Sequence, residues 1–239
     1  TEVMISVPAG LTSVEERAVV EAAVSAGAGK VYLIPEPIAA AIGAELPIST
    51  STGNMIVNMG GGTSEIAVIS LNGIVTCESL RISGDAINQA LMDYSRRRFG
   101  LLIGEQMAEK IKMTIGSATK LKSPSEMEIR GRDSASSLPT AIVINSNDIV
   151  APIQSVLREM VSAVKVVMEQ TPPELASDII DRGMVLSGGT AQLENIDEYF
   201  TQETGVPAHL VDEPMYAVIR GLAQALDHID VLRSSLRIG

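Results

Sequence analysis

The chain has 239 residues, 46% of them hydrophobic, enough to bury one large core or two small ones. Lys and Arg number 18 against 29 Asp and Glu, and the net charge of −11 gives no overall attraction for nucleic acid or an anionic lipid surface. The one cysteine, Cys77, excludes an intrachain disulfide, and no apolar run reaches the length of a membrane span.

Residues 3–7 predict a short strand closed by Pro8. Ser13 and Glu16 have capping-box spacing and predict a helix to about Gly27, with Ala18, Val19, Ala22 and Ala23 on its buried face. A strand over 31–34 and a small-residue helix over 37–43 follow. This alternation predicts a layered α/β unit. Residues 46–54 are polar and rich in turn formers, and they read as the connection to a second unit.

The second unit opens with a strand over 55–59, the turn Gly60-Gly61-Gly62 and a strand over 66–70. The turn Asn72-Gly73 and a strand over 74–80 complete a meander, in which Cys77 reads as a packed thiol. Ile87, Leu91 and Tyr94 share one face of a predicted helix, and Met107, Ile111 and Ile115 one face of the next. Arg96-Arg97-Arg98 suits a helix C-terminus, where cations oppose the dipole. A second β region covers 127–130 and 140–144. Asn147 is expected to cap the longest helix, whose stripe holds Ile149, Ile153, Val156, Met160, Val164 and Val167, and Pro172-Pro173 to end it. The last third reads as a strand over 184–186, a Gly188-Gly189 turn, a helix ending at Gly205, a strand over 206–211 and a helix from Pro214. His209 and His228 stand apart, without metal-ligand spacing.

Three features carry chemistry. Asn58-Met59-Gly60-Gly61-Gly62-Thr63-Ser64-Glu65 puts a glycine hairpin between apolar strands. It reads either as a plain tight hairpin or as a concavity of bare backbone N–H groups for phosphate, with the Thr63 and Ser64 hydroxyls as further donors. Ser187-Gly188-Gly189-Thr190-Ala191 follows a buried strand and precedes a helix, which reads as an ordinary β–α turn or as a nucleotide site at a strand's carboxyl end. Glu36, between a strand and Pro37, either satisfies a helix dipole or orients a water for attack on phosphate.

Five blocks resemble the MreB/Mbl family of bacterial actin-like proteins, in order and over nearly the whole chain: residues 35–43, 60–69, 111–118, 172–176 and 182–189. The resemblance implies an α/β, actin-like (ribonuclease H-like) ATPase fold, with two similar domains around a nucleotide cleft and the first domain incomplete. It divides the chain into 1–47, the rest of domain I; 48–213, domain II with an inserted subdomain at about 85–147; and 214–239, a helix returning to domain I. By position, Gly61, Gly62 and Thr63 would form a phosphate hairpin, Glu109, Lys110, Ile111 and Lys112 would face ribose and base, and Gly188, Gly189, Thr190 and Ala191 would pass beneath the adenosine. Glu36 and Thr63 would position the hydrolytic water.

The implied cofactors are ATP and Mg²⁺. The family's first phosphate hairpin is absent from the chain, and Thr1 in place of Met leads us to expect residues upstream of it. Asn58 stands where the family has Asp and would meet Mg²⁺ only through a water; Thr190 replaces a usual third glycine and would narrow the base site. The resemblance further implies a cytoplasmic filament subunit at the inner face of the cell membrane. Its partners would be its own copies, the membrane surface and the cell-wall elongation machinery, in setting rod shape, with no nucleic acid. A DnaK-type chaperone ATPase or a sugar or acetate kinase shares the superfold. A chaperone would require a β domain after the ATPase, and a kinase would require a catalytic acid in the first domain.

Overall fold

The computed structural model describes residues 1–229, 232 and 236–238. Strand β1 (Glu2–Val7) lies parallel to β2 (Lys30–Pro35), joined through helix α1 (Ser13–Ser25). The capping box on α1 is Thr12 with Glu15, one residue earlier than the Ser13–Glu16 pair. Thr12 has the extended backbone of an N-cap, whereas Ser13 is already helical. Helix α1 packs through Val19, Val20 and Ala23, while Ala18 and Ala22 are exposed, so the expected face is rotated.

Helix α2 (Glu36–Gly43) follows β2 directly, with Pro37 in its first turn, where a missing N–H costs nothing. Residues 44–53 then lead to a meander of β3 (Asn54–Met59), β4 (Ser64–Ser70) and β5 (Gly73–Leu80). The left-handed pair in the β4–β5 turn is Leu71 (φ 49°) and Asn72 (φ 60°), one place before Asn72-Gly73. Their amides bond to Thr50 and Ile48 of the connection, which fixes the turn there.

Helix α3 (Gly84–Phe99) ends with Arg96–Arg98 in its last turn and Gly100 at φ 64° as its stop. A small sheet of β6 (Leu101–Leu102), β7 (Glu126–Asp133) and β8 (Pro139–Asn145) forms beside α4 (Glu105–Ile115). Helix α5 (Ser146–Gln170) is capped by Asn145 with Asp148 rather than by Asn147, whose amide instead bonds to both backbone groups of Leu121. All six expected stripe residues are buried. Each contributes about 2 kcal/mol relative to exposure, so tertiary packing rather than propensity holds α5.

The two prolines end α5 as expected, but Pro173 also opens a helix that the sequence reading missed, α6 (Pro173–Arg182). Strand β9 (Met184–Ser187) is followed by a 3₁₀ turn (Gly189–Gln192), not directly by a helix; α7 (Ile196–Thr204) starts later and stops at Gly205 as expected. The strand expected over 206–211 is the shorter β10 (Ala208–Leu210). A 3₁₀ turn (Pro214–Tyr216) leads into α8 (Ala217–Asp227), and β11 (Arg237–Ile238) pairs antiparallel with β2. The helix expected over 214–239 therefore ends at Asp227, and residues 230, 231, 233–235 and 239 lie outside the described residues.

The central sheet runs β10-β9-β3-β4-β5, with β9 parallel to β3. Its central strands β3 and β4 are buried on both faces, so they read as largely apolar runs, whereas β5 and β10 at the edges are partly exposed. Met55, Val57, Met59, Ile66 and Val68 face the α5 side, whereas Ile56, Ala67 and Ile69 face α2. The strand period of two then sends Asn58 and Glu65, opposite each other in the ladder, to the α2 side as well. Helices α2 and α8 cross at Gly43 and Gly221, where a Cβ on either would fall on the carbonyl of Ala217 or Ala39. Cys77 is half-buried on β5, and burial pushes its thiol up to about 12, as expected of a packed and inert side chain.

Candidate functional site

The two glycine bends meet. Gly60 and Gly61 of the β3–β4 hairpin and Gly189 and Thr190 of the turn after β9 line one cleft of ≈ 460 Å³, opposite Glu109 and Lys112 of α4. Thr190 Oγ1 donates to the Gly60 carbonyl at 2.7 Å, as does Ser83 Oγ at 2.6 Å, which ties the hairpin to both the 3₁₀ turn and the start of α3. Gly188 (φ 88°) allows this approach: a Cβ there would collide with the backbone of Met59. The Thr190 hydroxyl is thus engaged with the hairpin, while the residue still borders the cleft.

On α4, one turn apart, Lys112 Nζ and Glu109 Oε2 pair at 2.9 Å. Lys112 also donates to the Gly84 carbonyl at 3.1 Å, and Asn88 Nδ2 donates to Glu109 at 2.5 Å. The bond from Lys112, with that from Asn88, holds the Glu109 carboxyl below its usual range. Lys110 and Ile111 lie off the cleft, the first exposed and the second buried beneath α4, because residues between i and i+3 point elsewhere on a helix. Ala191 is fully buried under the turn.

At the hairpin tip Gly61 and Gly62 are exposed and Thr63 half-buried, with the Thr63 carbonyl accepting from Gly60 N. Ser64 does not face the hairpin's concave side; its hydroxyl is buried and donates to the Ile82 carbonyl at 2.8 Å. Glu36 is half-buried and is not among the residues that line this cleft; it meets Asn58, two residues before the Gly60 turn. Its Oε1 accepts from Asn58 Nδ2 at 2.7 Å, and Asn58 Oδ1 accepts from Ser187 Oγ at 2.9 Å. The Asn58 oxygen expected to meet a metal-bound water is therefore already in use, in a residue only 2% exposed.

Sequence reasoning missed four residues here. Asp85, at the α3 N-terminus, lines the cleft beside Gly61, and its only signal was an acid in a first helical turn. Asn88 and Ser187 are polar residues inside apolar patterns. Glu65, 1% exposed, accepts from Ala9 N at 3.0 Å, and its Oε2 has no partner among the described residues. Burial raises this carboxyl to about 7, against the pull of the Ala9 amide and with a further push from Glu36.

With this cleft in place, the family model described as MreB/Mbl protein matches residues 1–234. The chain belongs to the MreB/Mbl family. It is similar to the cell shape-determining protein MreB of Escherichia coli (strain K12), 52% identical over 229 residues, covering 96% of this chain and 66% of the relative. The cell shape-determining protein Mbl of Bacillus subtilis (strain 168) is 42% identical over 229 residues, covering 96% of this chain and 69% of its own. The chain thus spans about two thirds of the length of these curated MreB/Mbl relatives. Among solved structures, MreB5 of Spiroplasma citri bound to ADP superposes with a TM-score of 0.93 at 33% identity, over 95% of this chain and 69% of that one. The MamK double helical filament (TM-score 0.77, 17% identity) covers 95% of this chain and 68% of that one, and it supports the fold alone. The fold is actin-like, and the family separates the chain from the chaperone and kinase readings of the sequence.

Proposed function

We propose that the cleft binds ATP and that the protein is an actin-like subunit whose filaments set rod shape. The observation that carries the reading is the convergence of both glycine bends and the Glu109–Lys112 pair on one cavity. Bare amides at Gly60 and Gly61 suit phosphate oxygens, and the ribose and base would lie between α4 and the Gly189–Thr190 turn, with Met113 and Met215 as apolar walls. Similar proteins support it: MreB5 of Spiroplasma citri is described bound to ADP and to AMPPNP.

Glu36 and Thr63 are the residues we assign to the attacking water, with Glu36 accepting its hydrogen bond. No group of three or more His, Cys, Asp or Glu able to hold a metal occurs among the described residues. Mg²⁺ characteristically arrives with phosphates and its own waters, so the donors here fit a hydrated ion met by Glu36 or Asp85 through water. Bound in this way, it would neutralise phosphate charge. In this reading residues 1–47 and the described part of 214–239 form one unit and residues 48–213, which supply the cleft's lining apart from Met215, the other.

No helix among the described residues is long and apolar enough to cross a membrane. Work at the inner membrane face with the cell-wall elongation machinery is the partner assignment that the family suggests. Binding of a fluorescent ATP analogue with competition by ATP, and electron microscopy of the protein with ATP and Mg²⁺, test the reading. Nucleotide-dependent filaments are expected; persistent monomer without nucleotide binding removes it.

A further inference from the structure

At the base of the glycine hairpin, two buried polar side chains and a half-buried carboxylate form a row. Ser187 and Asn58 face each other in register on the parallel strands β9 and β3, 0% and 2% exposed, and Glu36 stands at the first turn of α2. The hydrogen bonds run from Ser187 Oγ to Asn58 Oδ1 at 2.9 Å and from Asn58 Nδ2 to Glu36 Oε1 at 2.7 Å.

The direction of this row follows from one requirement. An ionised carboxylate only accepts hydrogen bonds, so the amide must turn Nδ2 toward Glu36. That places Oδ1 toward Ser187, whose hydroxyl must then donate. Buried polar groups are costly unless every one of them is satisfied, and here the amide has a partner on both sides. The row ends on one oxygen of Glu36. No hydrogen bond from a described residue reaches the other, Oε2. Neither Ser187 nor Asn58 lines the nucleotide cleft.

We infer that Ser187, acting through Asn58, is a positioning residue for Glu36: it locks the amide, the amide occupies Oε1, and Oε2 alone is presented to the attacking water. The inference rests on the assignment of Glu36 in the proposed function. Without the Ser187 hydroxyl, the buried Asn58 Oδ1 loses its partner and the amide one of its two anchors, so Nδ2 no longer holds Oε1 at a fixed place and Glu36 leaves its direction. Because Ser187 and Asn58 do not line the cleft, the nucleotide keeps its contacts while the attack is misaligned.

The test compares Ser187→Ala, Ser187→Thr and Glu36→Gln with the wild type in the full-length protein, measuring single-turnover phosphate release and ATP affinity by titration. Loss of one oriented hydrogen bond is expected to slow release by about tenfold in Ser187→Ala with unchanged ATP affinity, and Ser187→Thr, which keeps the hydroxyl, is expected to restore it. An unchanged rate in Ser187→Ala beside a slow Glu36→Gln overturns the positioning role and leaves the ATPase reading intact. A Glu36→Gln variant as fast as the wild type removes the ATPase assignment of Glu36 and this inference with it. Equal weakening of ATP binding and turnover in Ser187→Ala shows a structural role only and likewise overturns the inference.

Discussion

The Thr190 hydroxyl reaches the Gly60 carbonyl across 2.7 Å, so two turns 130 residues apart in sequence share one hydrogen bond at the floor of the cleft. Thr190→Val keeps the shape and removes the donor. Because Ser83 Oγ still donates to the same carbonyl, the expected loss is modest, about 1 kcal/mol by denaturant unfolding, and Thr190→Ser should recover most of it. No loss in Thr190→Val would mean that the bond does not hold the bends together.

Glu65 makes stability depend on pH. Its carboxyl is raised from 4.5 to about 7 in the folded chain, chiefly by burial. Below 4.5 both states carry the proton; between 4.5 and about 7 the unfolded chain ionises first, so stability falls as pH rises and then levels off. Glu65→Gln stays neutral and still accepts from Ala9 N. It should match the wild type at the acid end and exceed it by about 2 kcal/mol near pH 8. Chemical denaturation at both ends of this window checks it; curves that stay parallel would rule the linkage out.

The α2–α8 crossing tolerates no side chain at its contact. Gly221→Ala sets a methyl against the Ala39 carbonyl, and the helices must separate or the chain must bend. A loss of about 3 kcal/mol or more is expected, seen as a lower unfolding midpoint or as insoluble protein. A variant as stable as the wild type would show that the two helices have room to move apart.

Asn58→Asp replaces the donor to Glu36 with a second carboxylate at hydrogen-bond distance. Without divalent cations it should unfold about 2 kcal/mol more easily. ATP with millimolar Mg²⁺ should reverse the loss and bind more tightly than in the wild type, read by thermal unfolding and by titration. Indifference to Mg²⁺ would separate residue 58 from the ion.

Much of the architecture was legible because its signals are local. The α5 stripe, the glycine stop at Gly205 and the meander through Asn72 each depend on spacing within a few residues. The errors arose where a tertiary partner decided the outcome. Leu121 draws Asn147 away from the cap position, and Thr50 and Ile48 shift the β4–β5 turn by one residue. In the site, the glycines announced themselves, whereas Glu65, Asn88 and Ser187 did not. Each is a polar residue whose meaning lies in a side chain or amide that the fold brings from more than twenty residues away. Lys110 and Ile111 were carried along with their neighbours by block similarity, and helical geometry turns them out of the cleft.

The return of α8 to α2 means that the backbone passes between the flanking sheet and the central sheet twice, once at 44–53 and again at 211–216. Two covalent straps permit one kind of movement, a swing about the line that joins them, and resist twisting across it. Any swing of the flanking sheet against the central sheet must therefore work like a door on two hinges, with the close-packed glycine crossing fixed in its frame.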